Sequence, residues 1–281
     1  MDNTNEFKIK LHLKKIGLPD QLIYLNLKDE GLSNQLLKYS IREPINSYFL
    51  VKEIKSRKPH VLDVGGNIGY FPIIEVLSGA KAVSVYEPVT ENFDYLTKNM
   101  VPFNNVKCYN MGIGEKNQTA KIYITNRRNN ASIEPCKEYL ENNNITIKQT
   151  EEVQLITLKD ACKTIDDNNI LCRMDIEGYE KKVLSNIPEK INGLSFEFHT
   201  KIIGKNQSIE LIDKLENEGF QITLMTRELE GMMKLFKIFG FTIFKIYNQF
   251  KEKRIYIQPK KIEIIKIIKL MRENPHIFAF R

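Results

Sequence analysis

A glycine-rich turn followed by a carboxylate is the feature of this sequence that most directly suggests chemistry. An apolar run ends in Asp63, and Gly65, Gly66 and Gly69 follow it closely. Glycines let the backbone approach a ligand, and the helix expected next offers free N–H groups. A second apolar run ends in Glu87, 22 residues after Gly65, about where a ribose-binding carboxylate belongs. We therefore expect Glu87 to accept hydrogen bonds from ribose hydroxyls; the alternative is a structural turn with a solvated acid.

The spacing of the glycines limits the kinds of ligand that this turn could bind. Counted from Gly65, the third position of the dinucleotide motif G-x-G-x-x-G is Asn67 and the sixth is Tyr70. The usual binding place of a dinucleotide pyrophosphate is therefore missing. A ligand with a ribose but no phosphate fits better, and S-adenosylmethionine is the common one. We predict that Gly65, Asn67 and Gly69 hold its methionine moiety and that Asp63 orders the turn.

Two acids follow a later apolar run, residues 170–174. Asp175 and Glu177 come at the carboxyl end of this predicted strand, where open α/β sheets bind ligands, and residues two apart on a strand share a face. We predict that Asp175 lies near the sulfonium of the cofactor and the acceptor. The alternative is a helix cap with acids that favour the helix dipole. The two acids could bridge a divalent metal, but the sequence offers no further ligand set, so no metal site is predicted.

A third motif places Glu197 and His199 on one face at the end of another strand. Histidine is the side chain best suited to proton transfer near neutral pH. We predict that His199 is the catalytic base, with Glu177 or Glu197 orienting it or binding the acceptor hydroxyl. A purely structural histidine is the alternative.

The elements that carry these motifs alternate between strand and helix, which indicates an α/β fold with a parallel, doubly wound sheet. The predicted strands are 60–64, 82–87, 106–111, 170–176, 194–199 and 220–225, and helices 71–77, 91–100, 180–184 and 208–218 lie among them. Residues 276–281 are predicted to add a last antiparallel strand, at or near an edge. Two period-two strands flank the polar stretch 126–150, which we expect to be a long loop and a substrate lid, with Arg127 and Arg128 in it.

The chain divides into four predicted parts. Residues 1–58 form a mostly helical segment, with Ser33 as the cap of one helix. Residues 59–230 form the S-adenosylmethionine-binding core, 231–275 form a basic apolar insertion of helical character, and 276–281 return to the core sheet.

Four motifs in this order resemble the FkbM family of S-adenosylmethionine-dependent methyltransferases. They are Asp-Val-Gly-Gly-Asn-Ile-Gly-Tyr from Asp63, Tyr-Glu-Pro with Asn92 and Asn99 after it, Met-Asp-Ile-Glu-Gly-Tyr-Glu from Met174, and Phe-Glu-Phe-His from Phe196. The resemblance runs from about Arg42 to Thr226 and includes the final strand. The glycine turn and the Asp-Ile-Glu-Gly-Tyr-Glu motif, in this order, together indicate this family specifically. Either motif alone would be only weak evidence for it.

The resemblance implies a fold and an activity. The fold would be the class I methyltransferase-like (Rossmann-like) seven-stranded doubly wound sheet with an antiparallel last strand. The activity would be O-methylation of a hydroxyl on a sugar, a glycolipid or another small molecule.

The positive charge of the chain is concentrated near its end. The formal net charge is +7, and residues 231–275 hold eleven Lys or Arg against three acids. Apolar residues with periodic lysines are typical of helices on anionic membrane surfaces; packing on the sheet, a homo-oligomer interface and RNA contacts are the alternatives. The polar N-terminus has no signal-peptide pattern, and the four cysteines form no CxxC pair. These features predict a cytoplasmic protein with reduced thiols, peripheral to the membrane if the segment binds lipid.

Three other functions remain open from the sequence. An RNA methyltransferase would use the same core and the basic segment for phosphate contacts. A non-catalytic nucleotide-binding module would keep Glu87 and the glycines without turnover. A nicotinamide-dependent oxidoreductase is disfavoured by the glycine spacing.

Overall fold

An antiparallel hairpin begins the part of the chain that the structure describes. The computed structural model describes residues 6–226, 245–247, 254–257 and 274–281. The hairpin consists of β1 (Glu6–Leu11) and β2 (Gln21–Asn26), joined through a short 3-10 turn. The expectation that residues 1–58 are mostly helical is wrong for this hairpin. Alternate residues such as Leu11, Ile23 and Leu25 are buried, which is the period of a strand.

Two helices follow, as expected, in α1 (Leu32–Tyr39) and α2 (Pro44–Arg57). The prediction that Ser33 caps the first is wrong. Gly31 holds the cap position, and the Asp29 carboxylate accepts hydrogen bonds from the N–H groups of Gly31 and Ser33, each at 2.8 Å. An acidic side chain two residues before the cap position therefore satisfies these backbone donors.

The α/β core begins with three parallel strands, β3 (His60–Val64), β4 (Ala82–Tyr86) and β5 (Val106–Tyr109). Helices α3 (Tyr70–Leu77) and α4 (Thr90–Met100) connect them. All five lie within a few residues of the predicted bounds, because their apolar periodicity is strong.

A small three-stranded sheet interrupts this rhythm. It contains β6 (Gly112–Gly114), β7 (Gln118–Thr125) and β8 (Ile147–Thr157), and β7 and β8 pair antiparallel. The stretch between β7 and β8 is shorter than the predicted loop 126–150, and it contains the short helix α5 (Lys137–Asn142). We call residues 126–146 the strap.

The remaining described elements include the second half of the core. They are α6 (Leu158–Lys163), β9 (Ile170–Met174), α7 (Glu180–Val183), β10 (Ile191–Glu197), α8 (Thr200–Ile203), α9 (Lys205–Asn217), β11 (Gln221–Thr226), β12 (Lys245–Tyr247), β13 (Arg254–Ile257) and β14 (His276–Phe280). The core alternates between helix and strand as far as β11, as expected, and three further strands follow.

The main sheet has the strand order β12-β13-β11-β14-β10-β9-β3-β4-β5. Its seven strands from β11 to β5 are the doubly wound arrangement that the sequence predicted. The last strand, β14, is antiparallel as expected and lies between β10 and β11. It is therefore one strand from the edge of the seven-stranded arrangement, which β12 and β13 extend beyond β11. From β3 the chain continues to β4 on one side, and it returns later to form β9 on the other side of β3. The order in which strands are added to the sheet therefore reverses between β3 and β9. Sheets of this kind bind ligands in the crevice at the carboxyl ends of the two strands where the order reverses.

The basic insertion is described only in part. Residues 245–247 and 254–257 form β12 and β13, which pair antiparallel and extend the sheet beyond β11, so the helical expectation is wrong for these seven residues. The rest of 231–273 lies outside the described residues, and so do the predictions made for it. In the described part of the chain, no helix is long and apolar enough to cross a membrane.

Both faces of the sheet are covered by apolar side chains. On one face, Leu62, Cys172 and Phe196 pack against the helices that follow β8, β9 and β10. On the other, Val61 and Val85 belong to a second core that includes the N-terminal hairpin and α2 to α4. The two cores hold the strand ends at the crevice in fixed positions.

Asn99 of α4 connects the hairpin to the core. Its amide group accepts a hydrogen bond from the Tyr24 N–H at 2.7 Å and donates to the carbonyl oxygens of Tyr24 at 3.0 Å and Ile68 at 2.8 Å. We expect Asn99→Ala to lower the free energy of unfolding by about 2 to 4 kcal/mol, because it leaves these buried backbone groups without a partner. Chemical denaturation followed by circular dichroism measures the change.

The matched control is Thr97→Ala on the same helix, whose hydroxyl donates to an exposed carbonyl. It should change the unfolding free energy by less than about 0.5 kcal/mol. An Asn99→Ala protein as stable as the Thr97→Ala protein would contradict the role given to Asn99.

Candidate functional site

The glycine turn lies at the carboxyl end of β3. The N–H groups of Gly65 and Gly66 both donate to the Tyr86 carbonyl, at 2.9 and 3.2 Å. Gly65 has a φ of 83°, and a Cβ added to it would lie 2.3 Å from the Asp175 carbonyl oxygen. The turn can approach the end of β9 this closely only with glycine at this position.

The other two glycines allow close packing of the same turn. A Cβ at Gly66 would lie 2.2 Å from Val85 Cγ1, and one at Gly69 would lie 2.9 Å from Met100 Cε. Gly69, with a φ of 93°, occupies the position before the first residue of α3. Its role in this structure is therefore to start the helix beside α4.

Glu87 lies just beyond the end of β4 and only 4 % of it is exposed. Its Oε2 accepts a hydrogen bond from the Asn67 N–H at 2.8 Å, and its Oε1 accepts one from the Val89 N–H at 3.0 Å and one from the Asn92 amide at 3.4 Å. Burial raises the pKa of Glu87 to about 7, although these three donors act to lower it. The turn and the acid form one hydrogen-bonded unit, as the sequence analysis proposed from their spacing.

A buried arginine that the sequence analysis did not single out joins the ends of β3 and β9. The sheet register places Arg173 opposite Asp63, and Arg173 donates to Asp63 Oδ1 at 3.2 Å and to Asp175 Oδ2 at 3.3 Å. Its guanidinium carbon lies 3.9 Å from the centre of the Phe71 ring. Burial acts to lower the pKa of Arg173, but Asp63 and Asp175 outweigh it and raise the pKa, so the side chain stays charged.

A second acid, Glu75 of α3, is fully buried beside this ion pair. Burial and the neighbouring Asp63 raise the pKa of Glu75 well above its ordinary value. Burial also raises the pKa of Asp63, against the opposing effect of Arg173. Arg173 links Asp63 to the glycine turn, because its guanidinium also donates to the Gly65 carbonyl at 3.4 Å. Asp63 does not line the pocket, and its role in ordering the turn stays a prediction.

A cluster of acids surrounds His199 where β9 and β10 end. Its Nδ1 lies 2.8 Å from Glu180 Oε1, and its Nε2 lies 3.3 Å from Glu177 Oε2 and 4.0 Å from Glu197 Oε1. His199 is 2 % exposed and Glu180 is fully buried. The structure thus brings together three of the predicted site residues and adds Glu180, which the sequence analysis left unassigned.

This geometry argues against the prediction that His199 is the catalytic base. Both ring nitrogens face carboxylates, so neither is free to accept a proton from a substrate. Burial acts to lower the pKa of His199, but Glu180 and Glu177 outweigh it and raise the pKa well above its ordinary value. A base must be unprotonated near the working pH, and a raised pKa is unfavourable for that role.

Asp175 connects the cluster to the ion pair. One ligand atom from each of Asp175, Glu177 and His199 lies within 4.8 Å of the others. These are residue types that hold divalent ions. His199, which follows the neighbouring strand β10, thus lies close to the two acids that were considered from the sequence.

The crevice contains an open pocket with about 830 Å³ of space between its lining residues, part of which is bulk solvent. Of the predicted cofactor residues, Gly65, Gly66, Asn67, Glu87 and Asp175 line it, whereas Asp63 and Gly69 do not. The predicted catalytic residues Glu177, Glu197 and His199 do not line it either; they lie next to it, behind Asp175.

Several residues that line the pocket were not foreseen. Arg42 lies on its wall and forms an ion pair with Glu43 at 3.0 Å. Ser132 and Ile133 of the strap also line it, so the strap borders the pocket as the lid prediction requires, while the side chain of Arg127 is exposed. An arginine such as Arg173 could have been noticed as the one charge inside an apolar strand, two residues before an acid that shares its face.

Comparison with known proteins gives a family and only weak structural likenesses. A solved FkbM methyltransferase from Methylobacillus flagellatus KT is 15% identical with a TM-score of 0.37, covering 71% of this chain and 43% of that chain. This chain therefore spans less than half the length of that relative. The tRNA (m1A58) methyltransferase TrmI of Aquifex aeolicus is 14% identical with a TM-score of 0.39, covering 85% and 69% of the two chains. The O-methyltransferase from Bacillus cereus, in complex with SAH, is 8% identical with a TM-score of 0.40, covering 86% and 82%.

No curated protein matches the sequence. The family model described as the methyltransferase FkbM domain matches residues 63–222. This match covers more than half of the chain and includes the glycine turn, Glu87, Arg173 and the His199 cluster. The chain belongs to the FkbM methyltransferase domain family.

Proposed function

We propose that this protein transfers a methyl group from S-adenosylmethionine to a hydroxyl oxygen of a sugar, a glycolipid or another small molecule. The observation that carries the proposal is the unit formed by Glu87 and the Asn67 N–H on the wall of the pocket. A buried carboxylate next to a glycine turn without a dinucleotide motif suits a ribose that carries no phosphate.

The residues present fit the parts of this cofactor. Oε1 of Glu87 already accepts from Val89 and Asn92, but Oε2 has a lone pair beyond the one used by Asn67, and this can accept a ribose hydroxyl. Val89 and Ile113 give the adjoining wall an apolar character that suits a purine. The carboxylate of Asp175 lies on the opposite wall, where it would favour a positively charged group.

When bound, the cofactor supplies a methyl group attached to a sulfonium. The protein has to align an acceptor oxygen with that methyl group and to remove the proton of the hydroxyl. Glu177 and Glu197 lie next to the pocket, behind Asp175, and an ionised carboxylate can take the proton of a hydroxyl. Burial raises the pKa of Glu197 to about 8, so the fraction of Glu197 that is able to take a proton increases with pH up to and beyond pH 8. The strap, through Ser132 and Ile133, borders the pocket from above and would limit the access of water.

RNA is the second acceptor class, and one observation favours it. The excess of positive charge in residues 231–275 would provide phosphate contacts. The carboxylates around His199 weigh against it, since they would repel a phosphate backbone at the acceptor end of the pocket. A small acceptor rich in hydroxyls therefore agrees better with the described residues.

The cofactor can be tested without knowing the acceptor. We expect S-adenosylhomocysteine to bind in a calorimetric titration and to raise the melting temperature by ligand linkage, and NADH to do neither. Glu87→Gln should weaken the binding about 10- to 100-fold, because it removes a charged acceptor of two hydrogen bonds. The matched control is Glu115→Gln, which changes an exposed acid and should bind normally. The cofactor assignment would be refuted if the wild-type protein neither bound S-adenosylhomocysteine in the titration nor changed its melting temperature.

The pKa of Glu87 predicts how this affinity depends on pH. With a pKa of about 7, Glu87 is mostly protonated at pH 6 and mostly ionised at pH 8, and only the ionised form offers its full set of acceptors to the ribose. The dissociation constant of S-adenosylhomocysteine should therefore be about tenfold larger at pH 6 than at pH 8. The Glu87→Gln protein should show a flat profile over this range. An equal pH dependence in both proteins would assign the effect to another group.

The acceptor class can be tested with labelled S-adenosylmethionine. Incubation with a panel of methyl glycosides and glycolipids should give an alkali-stable methyl ether, and incubation with short RNA should not. Glu197→Gln should lower turnover about 100-fold by removing a proton acceptor, with the affinity for S-adenosylhomocysteine unchanged; Glu115→Gln again serves as the control. Salt-sensitive labelling of the RNA alone would overturn the acceptor proposal and leave the cofactor proposal standing.

A further inference from the structure

The structure assigns a divalent metal site to Asp175, Glu177 and His199, next to the pocket in which the proposed methyl acceptor would bind. The inference rests on the proposed function for its chemistry, but the site itself follows from the geometry alone. Its ligands would be two carboxylate oxygens and one imidazole nitrogen, held on the ends of two adjacent strands.

The distances match a site that needs little adjustment. In octahedral coordination with bonds of about 2.1 Å, neighbouring ligand atoms are about 3.0 Å apart and opposite ones about 4.2 Å. His199 Nε2 and Glu177 Oε2 are already 3.3 Å apart, and one atom of each of the three residues lies within 4.8 Å of the others. Side-chain movements of about 1 Å would complete the set.

Glu180 provides the support that metal-binding histidines usually have. A histidine ligand almost always donates its second ring N–H to a carboxylate or carbonyl, which fixes the tautomer and the ring orientation. Glu180 Oε1 lies 2.8 Å from His199 Nδ1, and the same oxygen accepts a hydrogen bond from the Gly178 N–H at 3.2 Å. This pair turns Nε2 towards Asp175 and Glu177, so Glu180 is a positioning residue.

An oxygen of Asp175 points to a missing ligand. Its Oδ2 accepts from Arg173, whereas its Oδ1 is buried and has no hydrogen-bond partner among the described residues. A buried carboxylate oxygen without a partner costs free energy, and a cation at this place would remove that cost. The cluster also holds more acids than cations, since Glu177, Glu180 and Glu197 all surround one histidine.

The ligand types indicate which ions the site would take. Carboxylates favour magnesium and manganese, and imidazole extends the choice to manganese and zinc, so Mn²⁺ is a suitable probe. On binding, the ion would take the place of the proton on His199 Nε2, and that proton would be released to solvent.

The site would assist methyl transfer as a Lewis acid. Three protein ligands leave coordination positions open, one of which can hold the acceptor hydroxyl and make it a stronger acid. The O–H bond then breaks and its proton passes to a nearby carboxylate such as Glu197. The oxygen forms a bond to the methyl carbon as the bond from that carbon to sulfur breaks, and S-adenosylhomocysteine is released.

The test is a titration of metal-stripped full-length protein with Mn²⁺, followed by electron paramagnetic resonance and calorimetry. We expect one bound ion per chain, with spin-echo modulation from a coordinated imidazole nitrogen. His199→Gln should remove the modulation and weaken binding at least 10-fold. Glu180→Gln should weaken it about 10- to 100-fold, the usual effect of losing such a partner. His12→Gln, at an exposed histidine, is the matched control and should bind as the wild type does.

The outcomes separate this inference from the proposed function. Wild-type protein that binds S-adenosylhomocysteine but shows no stoichiometric Mn²⁺ binding overturns the metal site and leaves the cofactor intact. Mn²⁺ binding with nitrogen modulation but no binding of S-adenosylhomocysteine supports the site and refutes the proposed function. Unchanged modulation in His199→Gln shows that another histidine binds the ion and overturns the assignment. Because the wild-type titration is decisive by itself, a variant that fails to fold does not obscure the answer.

Discussion

The contact on which the site depends is the buried ion pair of Arg173 with Asp63 and Asp175. It joins the carboxyl ends of β3 and β9 where the strand order reverses. Removing one partner of a buried ion pair typically costs about 3 to 5 kcal/mol, because the remaining charge stays buried without compensation. Because the cost of burying these charges offsets much of their attraction, the pair is weak evidence for net stability, but its contacts fix the positions of the groups that it joins. It sets the distance between the glycine turn and the acids that follow β9, and the Phe71 ring and the buried Glu75 lie beside it.

Asp175 is where the two halves of the site meet. One of its oxygens accepts a hydrogen bond from Arg173, and the other is buried without a hydrogen-bond partner among the described residues. The same side chain borders both the pocket and the His199 cluster. A substitution of Arg173 would therefore disturb both the pocket and the His199 cluster, because it would change the position of Asp175. The alignment that methyl transfer requires can arise here from a single buried arginine.

The sequence predicted the parts of this site that are continuous in the chain. Gly65 and Glu87 could be paired from their spacing, because the glycine turn and the end of the next strand have a fixed geometry in parallel α/β folds. The hairpin of residues 6–26 was missed because its strands are short and their pairing is settled by tertiary contacts such as those of Asn99. Glu180 was missed for a similar reason, since its partner His199 lies on a different strand and only the fold brings them together.

Charge balance explains why the two proposed ligands suit one site. The acids that meet around His199 and Asp175 outnumber the positive groups near them, and burial makes such an excess costly. The protein relieves part of this cost by sharing Arg173 between two carboxylates. The remainder is relieved best by cationic ligands, and the sulfonium of S-adenosylmethionine and a divalent ion are both cations. Transfer of the methyl group removes the positive charge of the sulfonium. The carboxylates that favour binding of S-adenosylmethionine would therefore favour binding of S-adenosylhomocysteine less, which would assist its release.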